Sequence, residues 1–172
     1  MACLIVNGIQ RECKFVVGGI KSSIWLANAE DFQALYDETG QITGATLTSI
    51  DSTFYEFQQE LNSASLVQSL VAGQISKFIT QTLMFSVGSL TQAKVTTLND
   101  LALTEMIAIF KANDGNWYWV GDNGSSLKAT SLEVTTGAAD TDDAAATVTL
   151  AGGNMGYAPI VSEAALTALG IS

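Results

Sequence analysis

Apolar and polar positions alternate, in part, along two runs near the middle of the chain. They are Phe54-Tyr55-Glu56-Phe57-Gln58-Gln59-Glu60-Leu61 and Phe78-Ile79-Thr80-Gln81-Thr82-Leu83-Met84-Phe85-Ser86-Val87. A period of two places successive side chains on opposite faces, so both runs predict strands. A soft segment, residues 62–76, rich in Ser, Ala, Gln and Leu, joins them and predicts an oversized connecting loop. With these two included, strands are predicted over 20–28, 42–50, 53–61, 78–87, 105–111, 117–120, 127–135 and 145–151. Most of these stretches are rich in β-branched and aromatic residues, bounded by Gly, Asn, Asp or Ser.

Turn chemistry orders the second half. Asn113-Asp114-Gly115-Asn116 predicts a tight hairpin, because Asp-Gly tolerates the positive φ that such a turn needs. Gly121-Asp122-Asn123-Gly124 predicts a second turn, and Thr136-Gly137-Ala138-Ala139-Asp140 opens a third connection, so this half reads as a meander. One amphipathic helix is predicted from Thr91 to about Leu103, capped by Ser89 or Thr91. Val95, Leu98 and Ala102 form its apolar stripe, widened by Leu101, while Lys94, Thr97 and Asp100 stay polar. Lys94 near its start and Asp100 near its end both oppose the helix dipole, so it needs tertiary packing. A short second helix is predicted over 163–169 behind the lone Pro159, capped by Ser162 and stopped by Gly170.

The face assignment carries the first functional idea. Glu56, Gln58 and Glu60 share one face of their strand, opposite Tyr55, Phe57 and Leu61. On the second run Thr80, Thr82 and Ser86 are polar, with Met84 an exception, opposite Ile79, Leu83, Phe85 and Val87 with Gln81 interrupting. Read as partner strands, they present one wet wall of acids, amides and hydroxyls. That wall is either ordinary solvent surface or the inside of a water-filled tube.

Composition narrows the options. The 172 residues suit one domain with a sizeable core. Hydrophobic residues reach 48% and charged ones only 14%, which points to surface destined for subunit contacts. The longest uncharged stretches, 61–76, 78–93 and 144–162, are all broken by polar residues or Gly, so no membrane span is read. No basic region precedes the short apolar run at the N-terminus, so no signal peptide is read. A net charge of −10 repels phosphates and argues against sequence-specific nucleic-acid binding, yet it suits a channel that DNA must pass without sticking. The absence of histidine removes the commonest general base and metal ligand, and with it the usual nucleophile–base pairs.

The remaining motifs have plain readings. Cys3 and Cys13 are expected to be reduced, small apolar residues. Asp140-Thr141-Asp142-Asp143 lacks the Gly and Glu spacing of a calcium loop and reads as a solvated acidic turn. Gly18-Gly19 precedes a strand rather than a helix, so it reads as a turn or bulge, not a phosphate loop. Trp117 and Trp119 share a strand face, as two core or interface tryptophans or as a platform for sugars. Glu56 and Glu60 lie about 13–14 Å apart along an extended strand, too far to work on one bond.

The order of these elements resembles the bacteriophage tail tube (major tail) proteins. The resemblance rests on the Cys13…Gly18-Gly19-Ile20-Lys21 opening, the paired strands around residues 63–73, and the Gln81-Thr82-Leu83 run leading to the helix. It continues through Asn113-Asp114-Gly115-Asn116 with its aromatic strand, Gly121-Asp122-Asn123-Gly124, and Thr147-Val148-Thr149-Leu150. It spans roughly residues 13–151, leaving the tail after Gly152 as a departure. The resemblance implies a mainly β fold: a β-sandwich of the tube-type barrel subunit, with one flanking α-helix and a long stacking loop.

The expectation is therefore a single tail-tube-like domain over 1–172, with its core at 14–151, an N-terminal segment 1–13 and a C-terminal extension 152–172. It is a structural virion protein and not an enzyme, and it uses no cofactor and no metal. Such subunits form stacked hexameric rings whose lumen conducts viral DNA during ejection, in virion tails assembled in the host cytoplasm. The partners implied are copies of itself, other tail proteins, and DNA passing without sequence-specific binding; no membrane is implied. Glu56, Gln58, Glu60, Thr80, Thr82 and Ser86 are expected to face an acidic lumen. Ser65, Leu66, Val67, Leu70 and Val71 are expected on the ring-stacking loop. The alternatives are a head–tail connector or tail ring or terminator protein of the same fold, and a carbohydrate-binding or adhesion sandwich using Trp117 and Trp119.

Overall fold

A computed structural model describes residues 18–49, 51–60, 62–122, 124–138 and 144–171. The described chain is mainly β, in the order β1 (Ile20–Asn28), β2 (Phe32–Tyr36), β3 (Ile42–Leu47), β4 (Tyr55–Gln58), β5 (Ser65–Ala72) and β6 (Lys77–Gly88). Helix α1 (Gln92–Leu101) follows, then β7 (Met106–Ala112), β8 (Trp117–Val120), β9 (Lys128–Thr135), β10 (Ala145–Asn154) and α2 (Glu163–Ala168). A four-stranded central sheet has the order β4-β1-β7-β8, and a four-stranded long-strand sheet has the order β5-β6-β10-β9. The β2–β3 hairpin forms a third, small sheet.

The central sheet is apolar on both faces, and this fixes the layering. Its Ile24, Leu26, Ala108, Phe110 and Val120 pack against Leu83, Phe85, Ala146, Val148 and Leu150 of the long-strand sheet. The alternate residues Ala27, Ile107, Ile109 and Trp119 pack against Phe32, Ala34 and Ile42 of the hairpin and against Ala165, Leu166 and Ile171 around α2. Strand β7 is accordingly buried at five consecutive positions, the continuous apolar run of a strand covered on both sides. The stretch expected as a C-terminal extension thus supplies part of the second core. The two sheets form a sandwich, and among the described residues no sheet closes into a barrel.

Local chemistry explains the punctuation. Gly115, at φ +96°, closes the β7–β8 hairpin with its N–H donating to the Ala112 carbonyl at 3.1 Å. Thr91 caps α1, its Oγ1 accepting from the Lys94 N–H, and Ser162 caps α2, its Oγ accepting from the Ala165 N–H. The meander reading holds for β7–β8 and β9–β10 separately, but the chain between β8 and β9 passes from one sheet to the other. Cys3, Cys13 and the acidic turn at Asp140, Asp142 and Asp143 lie outside the described residues.

Candidate functional site

Strands β6 and β10 are the longest in the described chain, at twelve and ten residues. They pair antiparallel in continuous register from Ala145↔Gly88 to Asn154↔Ile79. Because side chains alternate, one face of this pair enters the core and the other meets solvent. Ile79, Gln81, Leu83 and Phe85 are the inward set, and Thr80, Thr82, Met84 and Ser86 the outward one. Across the ladder Thr82 stands beside Ala151, Met84 beside Thr149 and Ser86 beside Thr147. The Ser86 and Thr147 hydroxyls are hydrogen-bonded at 3.2 Å. Strand β9 adds Ser131 beside Thr149 and Glu133 beside Thr147, and β5 adds Ser65, Val67 and Ser69. The wet face is therefore a field of hydroxyls and small side chains. Glu133 places an acid on it from the edge strand β9, and Lys128 lies at the start of the same strand, with Nζ 2.6 Å from Glu105 Oε1. The Lys128 and Ser126 hydrogen bonds hold the Glu105 carboxyl below the usual carboxylate range.

The expected wall of Glu56, Gln58, Glu60, Thr80, Thr82 and Ser86 divides in two. Strand β4 pairs with β1 in the central sheet, with Trp25 opposite Glu56 and Ser23 opposite Gln58. Trp25 packs in the second core, so Glu56 and Gln58 share the face turned away from the long-strand sheet. Glu56 is held there by the Ser23 hydroxyl at 2.5 Å. Glu60 lies beyond β4, against Gly88 at the end of β6. The acids are exposed as expected, but Glu56 and Gln58 lie on a different sheet and the opposite side from Thr80, Thr82 and Ser86.

The expected stacking loop is also corrected. Ser65, Leu66, Val67, Leu70 and Val71 lie on strand β5, which pairs with β6 from Ser65↔Met84 to Ala72↔Lys77. Leu66 packs on the first core, while Ser65 and Val67 join the wet face. Only Leu70 and Val71 approach the hairpin tip, which is closed by the Gly73 N–H donating to the Ser76 carbonyl at 2.8 Å. Around that tip Leu70, Val71, Ile75 and Phe78 are all exposed.

Trp119 is 1% exposed and its indole N–H donates to the Gly121 carbonyl, so it is a core residue and cannot serve as a sugar platform. Trp117 packs partly on the same core, with the Lys111 ammonium 5.6 Å from its ring.

Two features were missed from sequence: the edge position of β5 and β9, and the partners of Gln81, which the pattern had already placed on the apolar face. Its amide is 1% exposed and donates to Gln68 Oε1 and to the Gly156 carbonyl, both at 3.2 Å. Gln68 Oε1 also accepts from the Ala158 N–H at 2.6 Å. The polar interruption visible in the β6 pattern is thus a tie between β5, β6 and the loop after β10. Among the described residues no three Asp, Glu or Cys side chains gather as a metal would need, and no helix is long and apolar enough to cross a membrane. No family model, no curated protein and no solved structure matches this chain.

Proposed function

We propose that this protein is a structural virion subunit of the tail tube type, polymerising into stacked rings around a channel for viral DNA. The observation that carries the reading is the long-strand sheet, which is wet on one face and is bounded by two edge strands of matched length. Strands β5 and β9 have eight residues each. An exposed edge strand is a template for another chain, and natural proteins usually protect it with charge, proline or a bulge. Strand β5 reads Ser-Leu-Val-Gln-Ser-Leu-Val-Ala and has none of these residues. A β9 edge placed against the β5 edge of the next copy is a heterologous contact, which closes into a ring when the rotation permits.

The wet face suits the inside of such a ring. Affinity for duplex DNA comes mostly from Lys and Arg releasing counterions from phosphates. A wall of Thr80, Thr82, Ser86, Thr147, Thr149 and Ser131 offers water-like hydroxyls, and Glu133 adds repulsion rather than attraction. The lumen is accordingly hydroxyl-lined with a sparse acidic contribution, and Glu56 and Glu60 do not line it. The six-fold symmetry and the viral setting come from the family resemblance of the element order.

Sedimentation velocity of the purified protein tests assembly. The wild type forms rings or filaments, while Val67→Lys, which puts a charge on the exposed β5 edge, sediments as the 18.1 kDa monomer with an unchanged circular dichroism spectrum. A wild type that stays monomeric across the accessible concentration range refutes the proposal.

A further inference from the structure

We infer that Gln68 is the register key of strand β5: it selects which of two copies of one short sequence is seated against the core, and so how much of the strand stays paired. The key acts within one chain and holds whether or not the protein polymerises.

Strand β5 reads Ser65-Leu66-Val67-Gln68 and then Ser69-Leu70-Val71-Ala72, the same three residues twice. It is an edge strand and meets β6 alone, so β6 alone sets its register. A slip of four residues along the ladder leaves every side chain on its own face, because the face period is two. It would set Ser69 opposite Met84, Leu70 opposite Leu83 and Val71 opposite Thr82, in the seats that Ser65, Leu66 and Val67 hold now. Those seats cannot tell the two copies apart. Only the first copy is in use: Leu66 packs on the first core, while Leu70 and Val71 are exposed.

The next seat does distinguish them. Opposite Gln81 it holds Gln68, whose Oε1 accepts from Gln81 Nε2 at 3.2 Å and from the Ala158 N–H at 2.6 Å. A slip would bring Ala72 there and leave both donors without that acceptor, at residues that are themselves buried. The same slip would push Gln68 into the seat of Ala64, which is buried in the first core. An amide entering that apolar seat gives up its water. Gln68 thus bars the slip twice, at the seat it leaves and at the seat it would enter.

The opposite slip is barred by reach. It would set Ser65 opposite Thr80, and the stretch of β6 from Ser86 to Thr80 is roughly 20 Å at the rise of a strand. The Glu60 N–H is tied to the Ser86 carbonyl, and the chain from Glu60 to Ser65 reaches roughly 17 Å. An edge strand is a template for another chain, so the key also sets the template that β6 holds in place: residues 65–72 in the native register, 69–72 after the slip.

Exchanging the two residues that differ tests the key. With Gln68→Ala and Ala72→Gln together, the slipped strand reproduces the side chain now found at every seat from 64 to 68. Register is read by disulfide trapping in a glutathione redox buffer, on dilute full chain carrying Cys3→Ser and Cys13→Ser, so that the bond within one chain is measured. Val67→Cys with Thr82→Cys reports the native register, and Val71→Cys with Thr82→Cys reports the slipped one at the same seat. Ser69→Cys with Thr82→Cys, a slip of two that the repeat does not support, reports fraying. In the parent the 67–82 pair closes, and the 71–82 pair closes no faster than the fraying pair. In the exchanged chain the 71–82 pair closes at least roughly tenfold faster than in the parent, the factor that net hydrogen-bond energies supply, and the 69–82 rate is unchanged. A 71–82 rate equal to the parent's, or a 69–82 rate that rises with it, overturns the inference. Should the exchanged chain not fold, Gln68→Ala alone removes both bars and carries the same three pairs: a rise confined to 71–82 supports the key, and no rise, or an equal rise in 69–82, overturns it.

Discussion

Replacing Gln81 by alanine tests the physical account of the long-strand sheet at its most buried inward polar position. The amide makes two hydrogen bonds, each worth about 0.5–1.5 kcal/mol net. Gly156 is exposed, so its carbonyl takes water in place of that donor, and a loss of about 1–3 kcal/mol follows. For a chain of this size that lowers the melting temperature by roughly 2–12 °C. The assay is thermal and urea unfolding in the Val67→Lys background, because assembly itself raises apparent stability by mass action. Gln81→Leu is the sharper variant, since it keeps the side-chain volume and removes only the bonds. Its expected loss is about 0.5–2 kcal/mol, because added apolar burial offsets part of the cost. A Gln81→Leu protein as stable as the parent would show that the amide tie does not stabilise the hairpin base.

Three further outcomes follow from single contacts. A Cβ on Gly152 would lie 2.5 Å from the Ser126 carbonyl oxygen, so Gly152→Ala costs about 1–3 kcal/mol, whereas Gly156→Ala, with open space around it, stays within about 1 kcal/mol of the parent in the same urea titration. The Glu105 carboxyl is depressed by its Lys128 and Ser126 hydrogen bonds. Its contribution is therefore complete above the unfolded value, about 4.3, and is lost as pH falls through the lower folded value. Glu105→Gln should flatten that acid limb of a stability-versus-pH curve and leave its slope near neutrality unchanged. Glu133→Lys slows DNA ejection from reconstituted particles in a salt-dependent way, while Glu56→Lys does not act through the lumen; equal ejection kinetics for Glu133→Lys and wild type at low salt contradict the wall assignment.

Much of the fold was legible because its signals are local. Strand β1 has the predicted bounds, and Asp114-Gly115 announces its hairpin. Thr91 and Ser162 cap the two helices as their positions suggested. Strands β2 and β5 were missed for a physical reason. Along β5 the apolar residues come as the doublets Leu66-Val67 and Leu70-Val71, and only its first half touches the core, so selection for a period of two is weak. Strand β2 has five residues and buries only Phe32 and Ala34. The candidate wall failed at the level of pairing. Exposure of Glu56 and of Thr82 follows from alternation within each strand, but β4 pairs with β1 and β6 with β5 and β10, which alternation cannot reveal.

Helical reconstruction of tubes assembled from the purified protein tests the central claim most directly. The account predicts stacked rings in which β5 of each copy lies in hydrogen-bonding register with β9 of its neighbour and the face bearing Thr80, Thr82 and Glu133 turns to the lumen. Discrete particles without a continuous inner sheet, or tubes whose lumen is lined by the β2–β3 hairpin and α2, would contradict it.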